Sequence, residues 1–231
     1  MVSLPLSVII PVSQDREIVK LVLQLQQDQV MSRAEVIVIA NGTSEDLKDK
    51  IRSLLSSIAD ARLIELPMSN IAVARNVGIG VATREWLLFL DSDCSLLGGG
   101  YGGAILRLLE NLISPIEIFR GEVIFIPRKS LFSRLNCKMR NISYNLNRTA
   151  FYAPNLIINH QSFREFGLLS TEMRYGVDTE WGRRAELFGS WLKFVEELRL
   201  THIDDLSPIK TIRTWYYYGV GRAYREKRHY L

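Results

Sequence analysis

Apolar and polar positions along the chain change period several times, and each change marks an element. Ser7-Val8-Ile9-Ile10-Pro11-Val12 is a β-branched run, the pattern of a strand covered on both faces. Beyond it Ile18, Leu21, Val22 and Leu25 recur at three- and four-residue spacing among glutamines, which predicts a helix with one buried stripe. A second buried run, Glu35-Val36-Ile37-Val38-Ile39-Ala40, stops at the turn Asn41-Gly42-Thr43-Ser44. Ser44 is a natural cap for the next helix, with Glu45 and Asp46 in its first turn and Leu47, Ile51, Leu54, Leu55 and Ile58 inward. A third strand over 62–66 precedes Pro67. The helix expected over 70–83 is rich in small residues, and Gly78 and Gly80 point to close packing on a sheet. Trp86-Leu87-Leu88-Phe89-Leu90 forms a fourth strand that runs straight into Asp91-Ser92-Asp93.

Strands alternating with helices predict right-handed βαβ units, and so an α/β fold on a mostly parallel sheet. Ligands of such sheets bind beyond the carboxyl ends of the strands, which puts Pro11, Val12, Asn41 and Asp91–Asp93 along one rim. Gly98, Gly99, Gly100, Gly102 and Gly103 read as a flexible loop without the Lys-Ser/Thr of a P-loop. The second half is less regular. Residues 116–125 read as one or two strands broken at Gly121, followed by an amphipathic helix that turns Leu131, Leu135, Met139 and Ile142 inward. A strand is expected over 155–159, helices over 161–166 and 178–188, and strands over 192–195 and 198–202. No Pro/Ser/Gly linker divides the chain, so one domain is expected, with a basic end.

Composition narrows the class. The 231 residues are 47% hydrophobic and 23% charged, which excludes a disordered or collagen-like chain. No apolar run approaches the roughly 18 residues of a membrane-spanning helix. The first residues lack the basic and apolar regions of a signal peptide, and the two cysteines, Cys94 and Cys137, have no metal-type spacing. A cytoplasmic location is the expectation.

Charge is unevenly placed. Residues 208–231 carry Lys210, Arg213, Arg222, Arg225, Lys227 and Arg228 against Glu226 alone, and the rest of the chain is close to neutral. Between Glu122 and Glu165 there is no acid, but there are seven cations: Arg128, Lys129, Arg134, Lys138, Arg140, Arg148 and Arg164. Such a face suits a phosphorylated ligand or peripheral contact with an anionic membrane, here its inner face, as well as plain solvation. The segment Trp215-Tyr216-Tyr217-Tyr218-Gly219-Val220-Gly221-Arg222 reads as a lid over a diphosphate, a membrane contact or a helix capping the core. Nothing resembles a nucleic-acid-binding module, so no nucleic acid is expected as partner.

Asp91-Ser92-Asp93 is the strongest chemical feature. A buried strand fixes the backbone of both carboxylates while their side chains emerge into the crevice. Oxygen ligands of this kind select Mg²⁺ or Mn²⁺, which bind one or two carboxylates together with substrate phosphates. Acid pairs at strand ends also serve as turns and caps.

Four ordered motifs, Ser7–Val12, Glu35–Ser44, Ala74-Arg75-Asn76-x-Gly78 and Trp86–Asp93, together resemble the family 2 glycosyltransferases of GT-A fold. That family's pattern is a strand ending in Ile-Pro, a strand ending in Asp-Asn-Gly-Ser, an Ala-Arg-Asn-x-Gly helix and Phe-Leu-Asp-x-Asp. Gly176-Val177-Asp178-Thr179-Glu180, then Arg184-Ala185 and Gly189, resembles its acceptor-side Gly-Glu-Asp-x-Asp/Glu segment. The resemblance spans residues 6–205. It implies a Rossmann-like three-layer sandwich, with 1–95 as the nucleotide-binding half, 96–205 as the acceptor half and 206–231 as a basic, aromatic helix or lid.

The resemblance also implies roles. Pro11 and Val12 border the base and ribose, and Arg75 and Asn76 support the donor site. Asn41 and Ser92, inside the matched motifs, join the donor-binding set. Asp91 faces the ribose or sugar, Asp93 holds the metal on the donor diphosphate, and Asp178 is the base that deprotonates the acceptor hydroxyl, with Glu180 the second choice. His202, after an apolar strand, matches a histidine that supplies a further metal ligand in some GT-A enzymes; a structural histidine is the other reading. Trp181 and Trp191 are open to stacking on an acceptor sugar or to core packing. The implied reaction is metal-dependent, inverting transfer from a nucleotide-diphospho-sugar to a saccharide or lipid-linked saccharide, in polysaccharide or cell-envelope glycan synthesis. A homodimer stays open.

Two positions depart from the family. Ala40 stands where an aspartate commonly recognises the base, and Val177 replaces the glutamate before Asp178. They favour the alternative of an inactive GT-A domain that binds a sugar or a partner, against which Asp91, Asp93 and Asp178 speak. Leu88–Asp93 also fits the nucleophile strand of haloacid dehalogenase phosphatases. There, however, the motif opens the domain, and Gly-Thr follows where this chain has Cys94-Ser95.

Overall fold

The computed structural model describes residues 3–112, 117–128, 131–204 and 207–230. Its first half alternates β1 (Leu6–Val12), α1 (Ile18–Gln27), β2 (Glu35–Asn41), α2 (Glu45–Leu55), β3 (Ala61–Leu66), α3 (Ile71–Val81) and β4 (Trp86–Phe89). Strand β5 (Cys94–Leu96) and α4 (Tyr101–Glu110) follow. The second half holds β6 (Ile118–Pro127), α5 (Leu131–Leu146), β7 (Leu156–Asn159), α6 (His160–Phe166), α7 (Val177–Leu187), β8 (Leu192–Asp204) and α8 (Pro208–Tyr230). These strands form one sheet in the order β3-β2-β1-β4-β7-β6-β8-β5. Only β7 and β5 run against the rest, so the sheet is mostly parallel, as the alternation of strands and helices predicts.

The central strands read as unbroken apolar runs because they feed two cores. Val8, Ile10, Val36 and Val38 pack with Leu21, Leu25, Leu47 and Ile51 of α1 and α2. Ile9, Ile37 and Ile39 point the other way, against Ala72, Ala74 and Ile79 of α3. Helix α3 approaches β1 so closely that a Cβ on Gly78 would lie 2.5 Å from the Ile9 side chain, whereas Gly80 faces open space. Asn70 caps α3 by accepting from the Val73 amide at 3.0 Å; Ser44 takes the cap position of α2 without a side-chain bond. Glu35 is the charged exception in these strands. Its buried carboxylate accepts from Ser7 Oγ (2.5 Å), the Thr83 amide (2.9 Å) and Thr83 Oγ1 (3.1 Å), and pairs with Arg62 at 2.6 Å. Full satisfaction is what makes a carboxylate tolerable there.

Several expectations change. Helix α5 turns Ser133, Asn136 and Cys137 to the core, while Leu131, Leu135, Met139 and Ile142 stand in solvent. Its apolar stripe is real, but the buried face is a different one. Gly102 and Gly103 belong to α4 and not to a loop; Asp28 accepts from the Gly102 amide at 3.1 Å and holds the helix start. The two strands expected over 192–202 are one, β8. Its register against β6 jumps between Gly121 and Glu122, where the sequence predicts a break. Asn155 clasps this bulge, donating to Leu198 O (2.8 Å) and Glu122 O (3.0 Å). Position 116, Lys129 and the boundary at 205–206 lie outside the described residues. Among the described residues no helix is long and apolar enough to cross a membrane.

Gly78→Val is expected to cost about 1–3 kcal/mol of unfolding free energy by overpacking the α3–β1 contact. Gly80→Ala in the same helix should gain up to about 1 kcal/mol. Urea denaturation of the two variants reads both.

Candidate functional site

A cleft of about 470 Å³ opens beyond the carboxyl ends of β1, β2 and β4, where a parallel sheet presents its ligand site. Pro11, Asn41, Arg75 and Asp91–Asp93 line one side; Ala153, Tyr175, Asp178, His202 and Tyr218 close the other.

The two aspartates are placed by backbone geometry. The Leu90 amide bonds Ile9 O (3.1 Å), which carries the chain straight past β4, and the Cys94 amide bonds Asp91 O (3.1 Å), which turns it into β5. Strand β5 then pairs antiparallel with β8, with Cys94 opposite His202, and the Ile203 amide donates to Asp93 O at 3.1 Å. This register lays the His202 imidazole against both carboxylates. Its Nε2 is 3.3 Å from Asp93 Oδ1 and 3.7 Å from Asp91 Oδ2. Nδ1 sits 3.2 Å from Ile203 O, and a proton on Nδ1 leaves the Nε2 lone pair facing the carboxylates.

Each of these groups is perturbed, for a different reason. Burial pushes the Asp93 carboxyl up to about 6, against the pull of His202. Burial also works against an Asp91 charge, but the Arg75 guanidinium, 2.8 Å away, and His202 outweigh it and hold the carboxyl below the usual range. For His202 burial disfavours the cation, yet Asp91 and Asp93 prevail and hold the imidazole above its ordinary value. The site is therefore built for one more positive charge than its fixed residues supply. Asp93 and His202 offer an oxygen and a nitrogen donor to a divalent cation. Cys94 Sγ lies within the same 4.8 Å group, but burial drives its thiol well above its normal value, away from the thiolate a soft metal would need.

Asp178 stands at the start of α7. Gly176, with φ of 72°, holds the cap position, so Asp178 is not the N-cap of this helix. Its carboxylate accepts from the Ala153 amide and the Thr179 amide, both at 2.9 Å. Burial raises its pKa, against the opposing pull of Arg75 and of these amides. A carboxylate fixed by backbone donors, raised by burial and facing a cleft has the attributes of a general base. Glu180 does not: it is fully buried and paired with Arg184 through both oxygens, at 3.0 and 3.1 Å.

Other residues singled out from sequence fall elsewhere. Val12 is in the core, with its carbonyl accepting from Thr43 Oγ1 at 2.8 Å, because the strand's alternation turns its side chain away from the rim. Asn76 does not line the cleft; its amide brackets Leu169, donating to its carbonyl (2.8 Å) and accepting from its amide (3.0 Å). Asn41 lines the cleft while clamping Ser69 through backbone and hydroxyl. Trp181 is a core residue whose indole donates to Gly167 O, and Trp191 is exposed outside the cleft. Tyr175 was not foreseen. It stacks on Tyr217, with ring centroids 5.2 Å apart, and so ties α8 to the cleft. The aromatic–cationic mixture of the tail was the signal available for Tyr218.

Residues 7–167 match the family model described as glycosyl transferase family 2. The chain belongs to glycosyl transferase family 2. It is also 26% identical over 208 residues to glycosyltransferase AglE of Haloferax volcanii, an alignment covering 83% of this chain and 64% of that protein. The chain thus spans somewhat under two thirds of the length of that curated relative. The family match ends before Asp178 and His202, so the placement of these two in a family 2 cleft is a finding of the geometry.

Glu180→Gln should cost about 3–5 kcal/mol, because it leaves the Arg184 charge unpaired. Asp178→Asn, which removes a charge that burial penalises, should change stability by no more than about 1 kcal/mol. Chemical denaturation at neutral pH separates the ion-paired core carboxylate from the one that faces the cleft.

Proposed function

We propose that this chain transfers a sugar, with inversion, from a nucleotide-diphospho-sugar to a hydroxyl of a saccharide or lipid-linked saccharide, in polysaccharide or cell-envelope glycan synthesis. The observation that carries the reading is the convergence of Asp91, Asp93, His202 and Asp178 on one cleft, from opposite ends of the chain. Asp93 and His202 are the residues to hold a Mn²⁺ or Mg²⁺ ion, with Asp91 beside them. When bound, such an ion neutralises charge on a leaving diphosphate. Arg75 fixes Asp91 at the cleft wall, and its buried Nε has no hydrogen-bond partner among the described residues. Pro11 and Asn41 border the nucleoside end, with Ser69 locked behind Asn41.

Asp178 then acts on the acceptor. Its carboxylate takes the hydroxyl proton as the acceptor oxygen bonds to the anomeric carbon and the bond from that carbon to the phosphate oxygen breaks. A single displacement inverts the centre. The two backbone amides that hold Asp178 orient it without neutralising it. On this reading residues 1–95 serve the donor and 96–205 the acceptor. Helix α8 serves as the lid, with Tyr175 and Tyr218 as the aromatic walls of the acceptor side. At Ala40 the carboxylate that commonly reads the base is missing, so the base is not preset as uracil.

Two measurements test this. A thermal-shift panel of UDP, GDP, dTDP and CDP should give a rise with one nucleotide only when Mn²⁺ is present, lost in Asp93→Asn. Ligand at 100 times its dissociation constant contributes about 2.7 kcal/mol, a readable shift. Asp178→Asn should keep that shift while losing about 10²–10⁴ of its transfer rate. No response to any nucleotide would favour the inactive, sugar- or partner-binding domain.

A further inference from the structure

We propose that α5 docks flat on the surface of an anionic lipid bilayer. Leu131, Leu135, Met139, Ile142 and Leu146 are between 52% and 79% exposed, although all five are large and apolar. At 100° per residue they share one arc of about 80° along the whole helix, centred about 150° from the core-facing Ser133, Asn136 and Cys137 and so nearly opposite them. Arg134 and Lys138, both exposed, flank this arc, and the helix carries no acid. Apolar stripe, cationic border and absence of acids are the combination by which a helix lies in a headgroup layer.

The surroundings extend the surface. Between α5 and the end of β6 lies a groove of about 520 Å³, with Phe125 and Pro127 on one side and Arg134 and Lys138 on the other. Its walls suit an anionic headgroup above an apolar floor. Asp204, at the end of β8, accepts from Ser133 Oγ through its carbonyl (2.7 Å) and from Asn136 through its carboxylate (2.5 Å). Helix α8 starts shortly afterwards, exposing Ile209, Ile212 and Trp215 with Lys210 and Arg213 among them. Two amphipathic helices thus spring from one anchor. A second copy is the poorer occupant: an antiparallel twofold pairing of α5 would put both Arg134–Lys138 edges on one side of the pair, and the helix carries no acid to answer them.

Flotation of the full chain with vesicles tests the surface without any need for turnover, so its failure would leave the transferase reading standing. The chain is expected to float with vesicles of mixed phosphatidylglycerol and phosphatidylcholine and to stay behind with phosphatidylcholine alone. Leu135→Gln/Ile142→Gln and Arg134→Gln/Lys138→Gln should each lower the partition coefficient at least about tenfold, with unchanged melting temperature. Failure of the wild-type chain to float with the anionic vesicles would overturn the proposal, as would flotation of Leu135→Gln/Ile142→Gln at the wild-type level. So would a wild-type dimer in size-exclusion chromatography that Leu135→Gln/Ile142→Gln dissociates.

Discussion

The pairing of β5 with β8 is the interaction on which the site depends. Three residues, Cys94–Leu96, bring the stretch just past Asp91–Asp93 beside β8, the last strand of the sheet in chain order. So short an edge strand has little stability of its own. It is held on its free side by a side chain: Gln24 accepts from the Leu96 amide at 3.0 Å and donates to its carbonyl at 3.2 Å, completing the ladder from α1. On the other side the bonds Ile203 N to Asp93 O and Leu97 N to Arg199 O extend the pairing past both ends. A one-residue slip would turn His202 to the opposite face of the sheet and leave the two aspartates without it.

The electrostatics follow from that placement. Three buried or half-buried groups, Asp91, Asp93 and His202, meet where Arg75 supplies one fixed cation. Arg75 satisfies Asp91, and Asp93 is left raised and waiting for charge. Without a second cation a proton shared with His202 fills the role. The need for a further positive charge in the cleft is therefore written into the burial of these groups. Asp178 is separate: its seat between the Ala153 and Thr179 amides comes from the α7 start and the β7 approach, and the ladder does not set it.

Much of this was legible in the order of residues. Apolar runs at 7–12, 35–40 and 86–90 could only be strands buried on both faces, and their alternation with helices fixed the parallel half of the sheet. Asp91 and Asp93 followed directly, because they sit where such a sheet binds. Other features were hidden for physical reasons. Periodicity shows that α5 has an apolar face but not that the core takes it, and here Asp204 recruits the polar face instead. A three-residue strand has no period, so β5 was invisible, and the meeting of His202 with Asp93 was implied by the family resemblance and not by any pattern in the residues. Val12 looked like a rim residue from its position, but side-chain alternation in β1 sends it inward. Asn76 and Glu180 are polar residues at motif positions whose partners, Leu169 and Arg184, are visible only in three dimensions.

The claim that stands or falls most directly is that Asp93 and His202 jointly seat the ion that meets the donor diphosphate. Pulsed electron paramagnetic resonance of Mn²⁺ bound to the chain with a nucleoside diphosphate reads this in one spectrum. Coupling to both an imidazole nitrogen and phosphorus is expected, with the nitrogen signal lost in His202→Ala and the phosphorus signal kept. A spectrum with phosphorus but no nitrogen coupling in the wild-type chain would contradict it.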